Sequence, residues 1–93
     1  GIQDKLIITP VDCLNGSCPK GNEDVLVVGG GVTGCELALF LKSLGNRVIL
    51  IEKENRLADD LEEISRMDLL KRMAKEKIQA FLKISLREVS EEG

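Results

Sequence analysis

The stretch VLVVGGGVTG, from Val25 to Gly34, decides the fold because it joins four consecutive aliphatic residues to a run of glycines. Aliphatic residues bounded by polar and glycine positions predict a strand that is buried on both faces, as in a parallel sheet. The glycines fit the spacing G-x-G-x-x-G, and apolar residues at helical spacing begin at Val32. The sequence therefore predicts a strand that ends in a glycine-rich turn and opens directly into a helix.

Each glycine of the motif has a mechanical role in such a turn. Gly29 permits the tight turn, Gly31 leaves room for a pyrophosphate near the backbone, and Gly34 lets the helix pack close to the strand. The N-terminus of the helix offers N–H groups and a partial positive charge to phosphates. The predicted phosphate-binding residues are Gly29, Gly30, Gly31, Val32, Thr33 and Gly34.

Glu52 ends the next predicted strand, RVILIE at residues 47–52. An acidic residue at this place can accept hydrogen bonds from both ribose hydroxyls of an adenosine. The acid makes the glycine motif specific, since a glycine-rich turn that binds nothing, which is the alternative, does not require it. We therefore predict that Glu52 is a cofactor-binding residue.

The rest of the pattern predicts two strand–helix–strand units in succession. One helix is expected over residues 32–44, a second over about 60–77, and a third strand over 78–84. Asp59 is the expected N-cap of the second helix, with Glu62 in the capping-box position. The inner face of that helix is expected to carry Leu61, Ile64, Met67, Leu70 and Ala74.

The fold class that follows is α/β, a Rossmann-like three-layer domain. Right-handed crossovers predict a parallel sheet of about three strands in the order 3-2-1, covered by the crossover helices. LREV, at residues 86–89, could begin an additional strand at the C-terminal end. Residues 1–23 are expected to be irregular, with a short apolar patch at Leu6-Ile7-Ile8.

Composition narrows the class of protein. The 93 residues suit one small domain, and the net charge of −3 gives no basic footprint for nucleic acid. No apolar run reaches the length of a membrane span, so neither nucleic acid nor a membrane is an expected partner. The chain has no His, the commonest acid–base side chain, and its 3 Cys favour a reducing cytoplasm over a secreted framework. Because no signal peptide opens the chain and it does not begin with Met, we expect a fragment.

Residues 24–52 resemble the dinucleotide-binding fingerprint of FAD and NAD(P) domains. The longer run from Val25 to Met73 resembles the NADH-binding domain of the pyridine nucleotide-disulfide oxidoreductase superfamily, closest to 2-enoate reductases and 2,4-dienoyl-CoA reductases. The resemblance covers about residues 12–93. It implies a partner FAD-binding domain in the same chain, FAD in the parent protein, and a small-molecule substrate elsewhere in that parent. FMN and an iron–sulfur cluster are possible further groups of the parent.

Two features favour the nicotinamide domain over the FAD domain. More than twenty residues precede the fingerprint strand, and no glycine pair follows Glu52. Glu52 would also repel a 2′-phosphate, which favours NAD(H) over NADP(H), although Lys53 and Arg56 weaken that preference by their proximity in sequence. We include Lys53 among the predicted cofactor-binding residues.

The resemblance also implies a role for Glu36, two residues after Gly34 and expected on the first turn of the helix. In flavin disulfide reductases the glutamate at the matching place lies beside the nicotinamide and pairs with a lysine of the FAD domain. The alternative is an acid that merely favours a helix N-terminus.

Cys13 and Cys18, in the stretch CLNGSCPK, could be the redox pair of a disulfide reductase. Their position just before the fingerprint strand favours instead a connector, residues 1–23, that leads from a preceding FAD domain into an NAD(H)-binding domain, residues 24–93. A redox pair and a metal site are the alternatives, and a metal site would lack ligands. Cys35 is expected to be a small packing residue.

The expected function is therefore to position NADH for hydride transfer to FAD. We predict an FAD/NAD-dependent parent enzyme and an isolated chain with no catalytic residue and no metal of its own. Two alternatives stay open, an FAD-binding domain of the same superfamily and a non-catalytic nucleotide-sensing module.

Overall fold

Four parallel strands and three helices make up the part of the chain that the computed structural model describes, residues 6–16 and 18–88. The strands form one sheet in the order β1-β2-β3-β4. In chain order the elements are β1 (Leu6–Ile8), α1 (Pro10–Leu14), β2 (Asp24–Val28), α2 (Val32–Ser43), β3 (Arg47–Glu52), α3 (Glu63–Lys75) and β4 (Gln79–Leu82). The predicted α/β class, the parallel sheet and the order of the three expected strands, now β4-β3-β2, are confirmed.

The core lies where β2 and β3 pair, because their side chains are covered on both faces. Val25 and Val27 on β2 and Leu50 on β3 are at most 1% exposed. The register aligns Val25 with Val48 and Val28 with Ile51. This alignment brings the end of β2, and the glycine turn that follows it, beside the end of β3 at Glu52.

Helix α2 agrees closely with its predicted span of residues 32–44. Cys35, Ala38 and Leu41 are fully buried against the sheet. A Cβ added at Gly34 would overlap the Gly29 carbonyl oxygen and stand 2.8 Å from its carbon, so the helix can approach the strand this closely only with glycine there.

The expectation that residues 1–23 are irregular is wrong for two segments. Residues 6–8 form β1, which pairs with β2 from Leu6 opposite Val25 to Ile8 opposite Val27, and residues 10–14 form α1. Three residues are too few for a period-2 pattern, and only Ile8 is buried. Backbone pairing with β2, which is a long-range contact, therefore makes this segment a strand.

The additional strand expected at residues 86–89 is also wrong. Residues 86–88 form a helical turn, and Val89 lies outside the described residues. Ser85 and Glu88 cap this turn reciprocally, since the Glu88 carboxylate accepts from Ser85 N–H and the Ser85 hydroxyl accepts from Glu88 N–H, both at 3.2 Å. Such a reciprocal pair favours a helical start over a strand.

Helix α3 begins later than expected, and its cap is a different residue. The N-cap is Glu62, whose carboxylate accepts from Ile64 N–H at 3.0 Å and Ser65 N–H at 2.7 Å. The hydrogen bonds from Ser65, first from its side chain and then from its backbone, hold the pKa of Glu62 below its usual value. Asp59, the predicted cap, instead pairs with Arg56 at 2.8 Å.

The predicted inner face of α3 is wrong for most of its members. Leu69 and Met73 are the buried residues of this helix, whereas Ile64 is 82% exposed and Met67 46%. Ala74 is exposed too, and only Leu61 and Leu70 of the predicted set pack partly against the core. Arg66 lies on the same face as Leu69 and Met73, and its Nε donates to the Leu57 carbonyl at 2.8 Å.

Over residues 6–16 and 18–88, no helix has both the length and the apolar character that crossing a bilayer requires.

Candidate functional site

The candidate site lies at the carboxyl edge of the sheet, where β2 ends in the glycine turn. Gly29 has φ +106°, a conformation that side chains disfavour, and its N–H donates to the Ile51 carbonyl of β3 at 2.9 Å. This hydrogen bond continues the β2–β3 pairing by one residue. The chain then turns sharply, and α2 starts at Val32 with its N-terminus facing the edge of the sheet.

Gly31 is the N-cap of α2, with φ −71° and ψ −176°. The first N–H groups of any helix have no partner within the helix. One of them, the N–H of Val32, donates to Asp60 Oδ1 at 3.0 Å. A Cβ added at Gly31 would stand 3.4 Å from that same oxygen, so the Asp60 carboxylate occupies the space in front of the glycine.

Gly30 is held by the end of β3 and by the segment that follows it. Its N–H donates to Glu52 Oε1 at 2.7 Å, and its carbonyl accepts from Ala58 N–H at 2.6 Å. A Cβ here would stand 2.6 Å from Leu57 Cδ2 and 3.0 Å from Glu52 Cβ, so a side chain at this position would require Leu57 to shift. The sequence motif does not reveal this requirement, because it arises from residues more than twenty positions away.

Glu52 lies where an acid that binds a ribose should lie, at the end of β3 and against the glycine turn. Its Oε1 accepts from Gly30 N–H, and its Oε2 accepts from Glu54 N–H at 2.6 Å. A carboxylate oxygen can accept more than one hydrogen bond, so each oxygen retains capacity for a hydroxyl. The two backbone bonds fix the orientation of the carboxylate before any ligand arrives.

A cleft of about 230 Å³ opens beside Glu52 at the ends of the strands. Its lining combines the glycine turn and the ends of β2 and β3 with the segment after β4, and comprises Val28, Gly29, Ile51, Glu52, Lys53, Ile84, Ser85 and Leu86. A hydrogen bond from Ile84 N–H to the Glu52 carbonyl, at 3.1 Å, holds that last segment in place. The lining is mainly apolar, with one carboxylate at its mouth.

The contribution of Ile84, Ser85 and Leu86 was not predicted from the sequence. A signal existed, because ligands of open α/β sheets bind outside the carboxyl ends of the strands, and these residues follow β4. The sequence predicts a third strand that extends to residue 84 and therefore does not place these residues after a strand end, whereas β4 ends at Leu82.

The other predicted site residues lie around this edge. Thr33 and Lys53 are exposed, and Lys53 lines the cleft. Glu36 is exposed on α2, but it is the fifth residue of the helix and belongs to the second turn, so its expected place on the first turn is wrong. The structure thus brings together the glycine turn, Glu52 and Lys53, while Glu36 stands one turn further along the helix.

The cysteines divide into a bonded pair and one free thiol. Cys13 and Cys18 form a disulfide with a Cα–Cα distance of 4.5 Å, which the connector interpretation did not predict. Cys35 is the free cysteine, and its burial, followed by the nearby charge of Asp60, raises the pKa of its thiol to about 11. A thiol with that pKa is a poor nucleophile, in keeping with a packing role. Within the described ranges, no group of at least three His, Cys, Asp or Glu side chains could hold a metal ion.

Residues 4–93 match the family model described as pyridine nucleotide-disulphide oxidoreductase. The chain is 41% identical over 59 residues to an NADH oxidase of Thermoanaerobacter brockii, covering 63% of this chain and 9% of that protein. It is 38% identical over 72 residues to a nitric oxide reductase FlRd-NAD(+) reductase of Vibrio vulnificus, covering 76% of this chain and 19% of that protein.

A solved structure resembles the whole chain. The 2-naphthoyl-CoA reductase in complex with 2-naphthoyl-CoA matches with a TM-score of 0.76 and 22% identity, covering 100% of this chain and 14% of that one. At this identity the likeness shows the fold alone. In each comparison the chain spans less than a fifth of the length of the protein that it matches.

Proposed function

The chain belongs to the pyridine nucleotide-disulphide oxidoreductase family, and we propose that residues 24–93 bind NAD(H) within a flavin-dependent oxidoreductase. The observation that carries this proposal is the hydrogen bond between Glu52 Oε1 and Gly30 N–H. It holds a carboxylate suited to a ribose directly against the glycine turn that is suited to a pyrophosphate. An adenosine diphosphate group needs these two features side by side.

The residues present fit such a group in size and in chemistry. Gly29 and Gly31 present backbone without side chains at the turn, and the start of α2 offers N–H groups to phosphate oxygens. The apolar cleft beside Glu52, whose lining includes Ile84 and Leu86, would suit an adenine ring. We assign the pyrophosphate to residues 29–34 and the ribose to Glu52.

NAD(H) is preferred in this proposal over the other dinucleotides. The carboxylate of Glu52 would repel a 2′-phosphate, and the exposed Lys53 is the cation nearest in sequence that could offset this repulsion. The names of the two curated relatives, an NADH oxidase and an NAD(+) reductase, also favour NAD(H) over NADP(H).

In the parent protein, NADH bound here would supply a hydride to FAD on a preceding domain of the same chain. This chain would hold the adenosine end and so fix where the nicotinamide lies. Glu36, exposed on α2, would face the nicotinamide side of the site, and residues 1–23 would connect the two domains. The parent would act on a small molecule in the cytoplasm and could be an enoate reductase-like enzyme that also carries FMN and an iron–sulfur cluster.

The test is calorimetric titration of the 93-residue chain with NADH, NADPH and FAD. NADH should bind more tightly than either of the others. Glu52→Ala should weaken NADH binding by roughly 1–3 kcal/mol, the scale of hydrogen bonds to a charged acceptor. Glu52→Gln, which keeps an acceptor for Gly30 N–H but has no charge, should narrow the gap between NADH and NADPH.

Glu54→Ala is the matched control, because it removes an exposed carboxylate two residues away and changes the net charge equally. Its NADH affinity should equal that of the unmodified chain. Tighter binding of FAD than of NADH would replace this proposal with an FAD-binding domain. An unchanged NADH affinity in a folded Glu52→Ala variant would remove Glu52 from the site.

A further inference from the structure

Residues 53–62, which link β3 to α3, form a segment that we call the strap because it lies across the glycine turn. Ala58 anchors it, being fully buried and donating its N–H to the Gly30 carbonyl at 2.6 Å. Leu57 packs on Gly30 from the same side. These contacts carry the strap past the front of the phosphate-binding turn.

Asp60 is the strap residue that reaches the start of α2. Its Oδ1 accepts from Val32 N–H at 3.0 Å, and both carboxylate oxygens lie within 3.6 Å of the Cβ position at Gly31. Over residues 6–16 and 18–88, none of the ion pairs involves Asp60. The charge of this carboxylate is therefore balanced by the helix N-terminus rather than by a side-chain cation.

We propose that Asp60 is a built-in competitor of the dinucleotide's pyrophosphate and thereby sets the affinity of the site. The inference rests on the proposed function and adds to it one residue outside the glycine motif. A phosphate oxygen and the Asp60 carboxylate require the same N–H group, carry the same sign of charge and fill the same space before Gly31. The two cannot occupy the turn together.

Displacement of Asp60 does not require the strap to unfold. Asp60 is exposed, whereas the anchor of the strap is the buried Ala58 two residues earlier. Rotation of the Asp60 side chain into solvent would free Val32 N–H while Leu57 and Ala58 stay in place. Binding would then follow a shift from a closed to an open side-chain position, and the closed fraction lowers the apparent affinity.

The experiment measures the NADH affinity of the 93-residue chain and of Asp60→Ala and Asp60→Asn by calorimetry. Both variants should bind NADH about threefold to tenfold more tightly, as expected if the closed position holds most of the population. Asp60→Asn retains an oxygen that can accept from Val32 N–H, so its gain should be the smaller. Circular dichroism of each variant verifies that the fold is retained.

Asp59→Asn is the matched control, since it makes the same change of net charge one residue away on a side chain paired with Arg56. It should leave NADH affinity unchanged, and adenosine, which has no phosphate, should bind all the variants equally. Equal gains in Asp59→Asn and Asp60→Asn would reduce the effect to overall charge and overturn the proposal. So would unchanged or weaker NADH binding in both Asp60 variants.

The outcomes separate this inference from the proposed function. If the unmodified chain binds NADH and loss of Asp60 brings no gain, the competitor is refuted and the proposed function stands. If only the Asp60 variants bind measurably, both stand. If no variant binds NADH, the proposed function fails and the competitor fails with it.

Discussion

Gly31 and Gly34 lie three residues apart in one motif, yet an added methyl group meets different surroundings at the two positions. At Gly34 it would overlap the Gly29 carbonyl, which is backbone of the glycine turn directly after β2 and cannot move aside. At Gly31 it would meet only the Asp60 carboxylate, at ordinary contact distance, in a backbone conformation that alanine adopts readily. Gly34 therefore serves the fold, and Gly31 is available to serve a ligand.

We predict that Gly34→Ala lowers the free energy of unfolding by about 3 kcal/mol, the upper range for overpacking a well-filled core. Gly31→Ala, the same chemical change, should alter it by no more than about 1 kcal/mol, the scale of a substitution at a helix N-cap. Urea denaturation of the two variants compares them directly. Equal stability of the two would mean that the contact between α2 and β2 relaxes at little cost.

The main effect expected of Gly31→Ala is on NADH binding rather than on stability. Gly31→Ala should weaken NADH binding, because its methyl group stands where the pyrophosphate would lie. The fold of this variant is expected to be retained, so the loss would be local to the turn. An unaltered NADH affinity in Gly31→Ala would contradict the assignment of the pyrophosphate to this glycine.

At the scale of the elements, the disulfide between Cys13 and Cys18 links α1 to the segment that enters β2. That segment is also fixed by Asn46, a buried side chain that donates to the Pro19 carbonyl at 3.2 Å and accepts from Glu23 N–H at 3.2 Å. The start of β2 is thus tied both to α1 and to the end of α2. The disulfide and Asn46 therefore restrain this connection independently of each other.

We predict that the double change Cys13→Ser, Cys18→Ser lowers the free energy of unfolding by about 2 kcal/mol, since the bond closes only a short loop. Reductant should destabilise the unmodified chain by a similar amount and leave the double variant unaffected. Cys35→Ala is the control, because it removes the free cysteine and should retain the sensitivity to reductant. A denaturation midpoint that does not respond to reductant in the unmodified chain would show that the bond adds nothing to stability.

Helix α3 shows how an element can be recognised while its details are missed. The capping pattern and the apolar residues at helical spacing predict its existence, and a helix is there. Both its cap and its buried face involve the strap, since the cap is Glu62 and the Arg66 side chain donates to the Leu57 carbonyl. Leu69, Leu70 and Met73 also recur at helical spacing, so the apolar pattern of α3 fits two faces, and only its long-range packing distinguishes them.

At the scale of the whole molecule, both edges of the described sheet expose apolar side chains. Leu6 and Ile7 on β1 are 43% and 41% exposed, and Phe81 and Leu82 on β4 are 51% and 42% exposed. Each of these strands is paired on one side only within the described residues. Edge strands with exposed apolar residues tend to pair with other chains.

We predict that the 93-residue chain self-associates as its concentration rises, with sedimentation velocity as the measurement. Phe81→Lys should suppress the association, because a lysine on an edge strand opposes pairing between strands. Lys83→Ala, which removes an exposed charge next to the strand, should preserve or enhance it. A chain that stays monomeric at all concentrations would show that these edge strands do not pair between molecules.

The sequence by itself determined β2, the glycine turn, α2, β3 and the place of Glu52. Each of these rests on a local rule, namely a buried aliphatic run, the helical period from Val32, or the freedom of Gly29 at positive φ. The neighbours of β3 in the sheet followed as well, because right-handed crossovers allow few arrangements. The family resemblance and the nature of the expected ligand come from the same stretch.

Only the tertiary structure decided the pairing of β1, the disulfide, the inward face of α3 and the course of the strap. All of them depend on contacts between residues that lack a common local pattern, such as Ala58 with Gly30 and Asp60 with Val32. From the sequence, Asp60 is expected to be one of the acids near the start of α3. Its carboxylate instead lies at the start of α2, because Ala58 is buried against the glycine turn and directs the chain across it.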